Sequence, residues 1–538
     1  MQFKTNPYPH QQKAFDKFKN EPFGALLADM GTGKSKIAID LASYKYVNGL
    51  HDSVLVVALN AVHPQWIDEQ FAEHCPVPWV GFSYSSKKTI KFLRKMDAFL
   101  QTPTPGKLRV FTMNFEAFSY KAGIEMAKRF FKLSDKPPII VVDEASRIKN
   151  PAAKTTRSLI KLRKMYPHSF RTVLTGTPAA KSPVDMWSIY EFLKDRYMGC
   201  SYAAFKIEYS VLVKKKIDVK GRLITIESVL DQYSFFKIKK LIAENLIGGK
   251  LRMPVISAIR SRFGLSEQDF WFIYSSPEFA AFKHLDDLLK HIKPNTFSIK
   301  KEDCLELPEK IYKKIELTLN AEQKRIIKNL SKYAVAHYNG EELTLNMKAM
   351  LGMRVLQICG GFFSHHTDIE GKYEQKKIAG ANSKLEYIKQ DLPELGNQQF
   401  MIWAVFTAEI DLLCEELSKN YAVGRLDGTT PKDVRAEIIN DFKAGRLQGL
   451  ISNPEVGGYG LNLQGAGVQY WYSRNFRTEA RLQAEDRSHR IGVTKSPVYK
   501  DLVYDVKFEH AVLESLKQGL NINAQFMSNE LTELFELI

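Results

Sequence analysis

Short apolar runs alternate with amphipathic stretches along most of this chain, the pattern of strands and helices taking turns in an α/β protein. Gly24-Ala25-Leu26-Leu27 is followed closely by a helical stretch that begins Lys36-Ile37-Ala38-Ile39-Asp40-Leu41. Residues 54–59, 108–113, 139–142 and 172–175 repeat the theme and are predicted to be parallel strands of one sheet. The clearest is Ile139-Ile140-Val141-Val142, β-branched throughout, too short for a helix and fenced by Pro137-Pro138. A second set, 400–405, 422–426, 447–452 and 468–472, predicts another parallel sheet, and helices are expected before it over 321–338 and 345–359. Between the two halves, over residues 199–300, the chain turns Lys/Arg-rich and aromatic-rich. Alternation around Lys220-Gly221 predicts a basic hairpin there, equally suited to phosphate contact and to a solvated excursion. Residues 523–538 read as an amphipathic helix.

Composition narrows the class. At 538 residues the chain is longer than a single core usually grows, so two or three domains are expected. Lys+Arg 77 against Asp+Glu 60 leaves a formal charge of +17, which suits a polyanionic partner, although a merely basic surface also accounts for it. The five cysteines, Cys75, Cys200, Cys304, Cys359 and Cys414, include no C-x-x-C pair, which predicts reduced thiols and a cytosolic setting. Cys359 has His365 and His366 nearby, but no second ligand pair with finger spacing exists, so it is read as a core thiol. Met1-Gln2-Phe3-Lys4-Thr5 lacks the apolar segment of a signal peptide, and no uninterrupted apolar stretch spans a bilayer; the expectation is a soluble cytoplasmic protein.

The chemistry begins at Ala28-Asp29-Met30-Gly31-Thr32-Gly33-Lys34-Ser35, set between the first apolar run and its helix. Strand, glycine turn and a helix opening on Gly-Lys-Ser make a phosphate cradle. Gly31 and Gly33 let backbone N–H groups approach phosphate oxygens, Lys34 brings a cation to the outer phosphates, and the Ser35 hydroxyl suits Mg²⁺. Ala28 stands where the first glycine of the G-x-x-x-x-G-K-[ST] pattern falls. About a hundred residues later the β-branched run ends at Asp143-Glu144-Ala145-Ser146, as the context rule for such motifs requires. Strand ends of an open α/β sheet are where ligands bind, so Asp143 is expected to face the Mg²⁺ and Glu144 the attacking water. Alone, the first segment is also a plain glycine turn and the second an acidic helix cap. Together they predict a nucleoside triphosphate site with Mg²⁺.

Seven segments in one order carry a resemblance. They are Pro9-His10-Gln11-Gln12; Val54-Leu55-Val56-Val57 with Pro64-Gln65-Trp66-Ile67-Asp68-Glu69; Asp143-Glu144-Ala145-Ser146-Arg147-Ile148-Lys149-Asn150; Leu174-Thr175-Gly176-Thr177-Pro178; Leu426-Asp427-Gly428-Thr429; Gly457-Gly458-Tyr459-Gly460-Leu461-Asn462-Leu463; and Gln483-Ala484-Glu485-Asp486-Arg487-Ser488-His489-Arg490-Ile491-Gly492. With the phosphate loop, they make the chain resemble the Swi/Snf type of helicase-superfamily-two ATPases, the double-stranded-DNA translocases, in a compact bacterial or viral form. The resemblance implies two RecA-like lobes with a helical, basic insertion between them. Lobe 1 would span 1–198, the insertion 199–306 and the second lobe 307–538, with a helical lead-in over 307–380 and a core over 381–510.

It also implies site residues. Arg487 and Arg490, whose i,i+3 spacing predicts one helical face shared with Gln483, would reach across a cleft to the transferring phosphate. Gln11 pairs donor and acceptor with an adenine edge, and Gly460 and Thr32 join Gly31, Gly33, Lys34 and Ser35 around the nucleotide. The Thr175-Gly176-Thr177-Pro178 segment would couple hydrolysis to strand contacts. Asn114, Thr407, Gly428, Thr429, Gly457 and Gly458 would hold phosphates of DNA without reading bases. Three positions depart from the family pattern: Ser146 replaces a histidine, Ser473-Arg474-Asn475-Phe476 replaces Asp-x-x-Trp-Asn-Pro, and Val493 replaces a glutamine. The implied function is ATP-dependent movement along duplex DNA. A strand-separating or branch-migrating helicase and a non-translocating, ATP-gated DNA-binding switch are the alternatives.

Overall fold

The computed structural model describes residues 1–517 apart from 61, 86–88, 177–182, 220–221, 231, 247–250, 277–280, 338–344, 367–372, 458–464, 476–477 and 491–492, with some helix and strand residues described by backbone alone. The chain divides into two compact units, residues up to Leu305 and from Glu306 onward.

In the first unit the predicted strands form as β1 (Phe23–Ala28), β2 (Ser53–Ala58), β4 (Leu108–Asn114), β5 (Ile139–Asp143) and β6 (Phe170–Thr175), joined by β3 (Trp79–Ser83). Their side chains alternate between two cores. Ala25, Leu27, Leu55, Val57, Phe111, Ile140, Val142 and Val173 face one, while Leu26, Val54, Val56, Val110, Ile139, Val141 and Leu174 face the other. Helices cover both sheet faces, which is why the runs read as continuously apolar. On one face lie α1 (Pro9–Phe18) and α2 (Lys34–Val47), whose Ala14, Phe18, Ile37 and Leu41 are buried in the second of these cores.

The middle of the chain is a mixed module rather than a helical one. The predicted hairpin forms as antiparallel β7 (Leu212–Val219) and β8 (Arg222–Val229); its turn, Lys220-Gly221, lies outside the described residues. Helices Gln232–Glu244, Met253–Phe263 and Glu267–Ser275 share a small core with its base, built from Val211, Val213, Phe235, Ile238, Phe270 and Ile273. An antiparallel bridge from Ser210 to Phe282 closes the module. The chain then returns to the first sheet as β9 (Thr296–Ile299), pairing β1 in parallel with Ala28 opposite Ile299. The completed sheet has the order β3-β4-β2-β5-β6-β1-β9 and is parallel throughout.

The second unit holds β10 (Ile311–Leu317), a hairpin of β11 (Phe362–His366) and β12 (Tyr373–Lys377), then β13 (Gln399–Trp403), β14 (Val423–Leu426), β15 (Gly449–Ser452), β16 (Ala466–Trp471) and β17 (Val498–Tyr504). Its six-stranded sheet, β10-β17-β16-β13-β15-β14, is again parallel. Phe400, Ile402, Ile451 and Tyr470 point to one core, Met401, Trp403, Leu450 and Trp471 to the other. The helices expected before this sheet are Ala321–His337 and Leu345–Gly360. Cys359 is a buried thiol of their shared core, and burial holds it well above its ordinary pKa. No trio of potential metal ligands occurs among the described residues. The helix expected over 523–538 lies outside them. Among those described, no helix is long and apolar enough to cross a membrane.

Candidate active site

The phosphate loop leaves the carboxyl end of β1 and turns through Gly31 and Gly33, both at φ +81°, a conformation that glycine adopts without strain. Gly33 is required twice over, because a Cβ there would collide with the side-chain amide of Gln11. Ser35 follows Lys34 in the first turn of α2. Lys34 Nζ donates to the carbonyls of Ala28 at 2.7 Å and Asp29 at 2.9 Å, and the buried Thr32 closes the loop with Oγ1 to the Asp29 carbonyl at 2.8 Å. From α1, His10 Nε2 and Gln11 Nε2 both donate to the Thr32 carbonyl, at 2.8 and 3.1 Å, while Gln11 Oε1 accepts the Tyr8 N–H at 3.0 Å. Gln11 therefore braces the loop from its buried position.

Two strands away, β5 delivers Asp143 and Glu144. Trp66, 1% exposed, donates its indole N–H to Asp143 Oδ2 at 2.9 Å and so fixes the carboxylate at the strand end. Glu144 sits at φ +69°, a left-handed conformation that costs a non-glycine residue about 1–3 kcal/mol. Its side chain is held by Ser146 Oγ at 2.8 Å and Thr175 Oγ1 at 3.3 Å, both to Oε1. Ser146, the departure from the family histidine, is thus a direct partner of Glu144. Gly176, next to Thr175, faces the loop: a Cβ there would lie 3.5 Å from Lys34 Nζ. Because β5, β6 and β1 are neighbours, the acidic box, the Thr175-Gly176 strand end and the phosphate loop meet on one edge of the sheet. Thr177 and Pro178 lie outside the described residues. Asn114 ends β4 on the same edge, its Nδ2 donating to Glu116 at 2.9 Å and its buried Oδ1 lacking a donor among the described residues.

In the second unit, the shared helical face expected for Arg487 and Arg490 needs correcting. The helix Thr478–Ser488 ends before Arg490, so Gln483 and Arg487 share it and Arg490 does not. At its end the His489 N–H still donates to the Glu485 carbonyl at 3.2 Å, Ser488 Oγ donates to the same carbonyl at 2.9 Å and takes the Gln469 amide, and His489 Nε2 reaches the Pro308 carbonyl at 2.7 Å. Arg490 folds back through Nε to the Asp486 carbonyl at 3.0 Å. Gln483 is buried, with Oε1 lacking a donor among the described residues. Beneath this helix lies a charge network that sequence reading left out. Arg481 forks onto both oxygens of Asp501 at 2.7 and 2.9 Å and onto Glu485 at 2.8 Å. Arg474, from the departing Ser473-Arg474-Asn475 segment, joins Asp501 at 3.0 Å, and Tyr312 and Lys310 meet Glu485 at 2.6 and 3.1 Å. Asp501 stays below its ordinary pKa against its burial, held there by Arg474 and Arg481.

The remaining expected nucleic-acid contacts sit at strand ends of the second sheet. Thr407 opens the helix Thr407–Leu417 after β13. Thr429 donates both its N–H and its hydroxyl to Asp427, at 2.9 and 2.7 Å, and Gly428 precedes it in that turn. Gly457 closes the short helix after β15, where a side chain would strike Ser452 and Trp403. Gly458 and Gly460 lie outside the described residues.

A parallel α/β unit with a phosphate loop, an acidic strand end and a Thr-Gly strand end, followed by a second parallel-sheet unit, defines a helicase-like P-loop protein. The SNF2-related domain model matches residues 14–360 and the helicase conserved C-terminal domain model residues 383–492, and the chain belongs to the SNF2-related family. It is 25% identical over 517 residues to the probable ATP-dependent DNA helicase CHR12 of Arabidopsis thaliana, covering 94% of this chain and 40% of that protein. It is 24% identical over 416 residues to the putative ATP-dependent helicase/translocase YwqA of Bacillus subtilis, covering 74% of this chain and 37% of the relative. The chain thus spans well under half the length of these two curated relatives. A solved SWI2/SNF2 ATPase core of Sulfolobus solfataricus in complex with dsDNA aligns over 100% of this chain and 97% of its own, at 19% identity and a TM-score of 0.36.

Proposed function

We propose that this chain is an ATP-driven motor that moves along duplex DNA without needing to separate its strands. The observation that carries the reading is the meeting at one sheet edge of Lys34, which lies beside Gly176, with Glu144, which is held by Thr175. In this reading Lys34 and the loop amides bind the phosphates, and Glu144 orients and deprotonates the attacking water. Ser35 and Asp143 offer the hard oxygen donors that would hold Mg²⁺, and an ion held by them would supply charge neutralisation to the phosphates. Phosphoryl transfer requires further positive charge, and Arg487 and Arg490 are the candidates for it that the family resemblance names. DNA enters through the formal +17 charge and the name of one relative, a DNA helicase, and movement through that of another, a helicase/translocase; the duplex preference is what the family resemblance implies. Asn114, Thr407, Gly428, Thr429, Gly457 and Gly458 would touch its backbone.

The test compares ATP turnover on duplex DNA, single strands and RNA, with triplex displacement and forked-duplex unwinding on the same preparation. Duplex-stimulated hydrolysis with triplex displacement is expected. Unwinding of the fork would make the protein a helicase, and single-turnover behaviour without displacement a switch. Glu144→Gln should keep ATP binding and lose about 10²–10⁴-fold in turnover, the range for a general base. Near-normal hydrolysis would remove Glu144 from its role.

A further inference from the structure

Asp29, inside the phosphate loop, is tied to a distant piece of chain. Its Oδ2 accepts the Lys301 N–H at 2.9 Å, and its own N–H donates to the Ile299 carbonyl at 3.1 Å. Its carbonyl in turn accepts Lys34 Nζ at 2.9 Å and Thr32 Oγ1 at 2.8 Å. One residue thus joins the loop lysine to the end of β9. Beyond β9 the chain makes a turn: Asp303 N–H donates to the Lys300 carbonyl at 3.2 Å, and the Cys304 and Leu305 N–H groups donate to the Lys301 carbonyl at 3.3 and 3.0 Å. That turn is the last segment of the first unit. A carboxylate is otherwise a poor choice in a loop built for phosphate, since like charges repel. Here it is engaged by a backbone amide.

We infer that Asp29 is a positioning residue that couples occupancy of the phosphate loop to the turn over residues 300–305, where the chain leaves the first unit. The inference rests on the ATP reading given above. Phosphate competes for Lys34 Nζ, and when it wins, the Ala28 and Asp29 carbonyls lose the lysine, while Thr32 Oγ1 still donates to the Asp29 carbonyl and the Asp29 N–H to that of Ile299. Each of the two peptide units is then held by one bond fewer, and a shift in them carries the carboxylate that holds Lys301. Two arrangements of one short segment, biased by the ligand, are all the coupling needs.

Two substitutions remove the link from opposite sides. Asp29→Ala deletes the acceptor. Lys301→Pro deletes the donor at the second position of the Lys300–Asp303 turn, where proline is at home, and leaves the sequence of the phosphate loop unchanged. The readout is hydrogen exchange at the Asp303, Cys304 and Leu305 amides of the full chain, with and without Mg²⁺ and a non-hydrolysable ATP analogue. In the natural sequence the analogue should speed exchange there by about threefold or more, a local opening of this size being well within reach of the method. Each variant should lose that response, the double variant should lose no more than either, and Asp29→Asn, which keeps an acceptor oxygen, should retain most of it. The link is overturned if the natural protein binds the analogue and these amides do not respond, or if Lys301→Pro responds like the natural protein. Failure to bind the analogue at all would instead bring down the ATP reading, and the link with it.

Discussion

Trp66 and Glu409 show how much single buried side chains decide here. Trp66→Phe keeps an aromatic side chain, smaller than the indole, and removes the N–H from Asp143. A hydrogen bond to a charged group contributes about 1.5–3 kcal/mol. The expected outcome is that the Mg²⁺ concentration supporting half-maximal nucleotide binding rises roughly tenfold while the fold is kept, measured by Mg²⁺ titration against a fluorescent ATP analogue. An unchanged requirement would reduce the indole to packing. Glu409 is fully buried beside Gly360, takes the Phe406 N–H and the Ser473 hydroxyl on Oε2, and has its pKa pushed up to about 7 by burial. A carboxyl raised in the folded state stabilises fully below its unfolded value near 4.5, and that contribution is lost as pH rises through about 7. Glu409→Gln, a mimic of the neutral acid, should flatten urea-melt stability across this window; a variant that keeps the wild-type slope would clear Glu409 of it.

At the scale of elements, the helix carrying Gln483 and Arg487 is held by charge rather than by its apolar face. Arg481→Ala would leave the buried Asp501 with Arg474 and the buried Glu485 with Lys310 and Tyr312. Breaking such a network costs about 3–5 kcal/mol, which a shift in urea midpoint would register, and loss of less than about 1 kcal/mol would show the charges to be solvated. If the proposed motor function holds, duplex-stimulated turnover should fall with it, because Arg487 is two turns or less from Arg481. The central strands and the acidic box were legible in the sequence because burial on both faces writes an uninterrupted apolar run, as at residues 139–142. β3 and β10 were not, because edge strands are partly exposed and read as mixed: Ile311-Tyr312-Lys313-Lys314-Ile315-Glu316-Leu317 carries three charges. The phosphate loop was legible down to its glycines. The Trp66 bond to Asp143 was not, since it spans 77 positions and only folding chooses the target. The contacts at the end of the Thr478–Ser488 helix were equally hidden, since His489 reaches residue 308.

For the whole molecule, the excess of Lys and Arg over Asp and Glu makes ionic strength the sharpest lever. If the chain holds DNA by its phosphates, plotting log affinity against log salt should give a straight line of slope near −0.9 for each phosphate neutralised, and a flat line would exclude backbone tracking. The two units have separate sheets and separate cores, so each is expected to bring its own part of the chemistry. The strand order of the first unit also bears on how the protein is made. Because β9 is the outer neighbour of β1, the strand that launches the phosphate loop keeps a bare edge until residues 296–299 emerge. A ribosome adding about 5–20 residues per second needs roughly 6–25 seconds to travel from the end of β6, the last of the other six strands, to that point. Throughout that interval the nascent chain exposes an apolar strand edge to whatever else is being synthesised nearby, and a fragment cut at residue 198 would carry that hazard permanently.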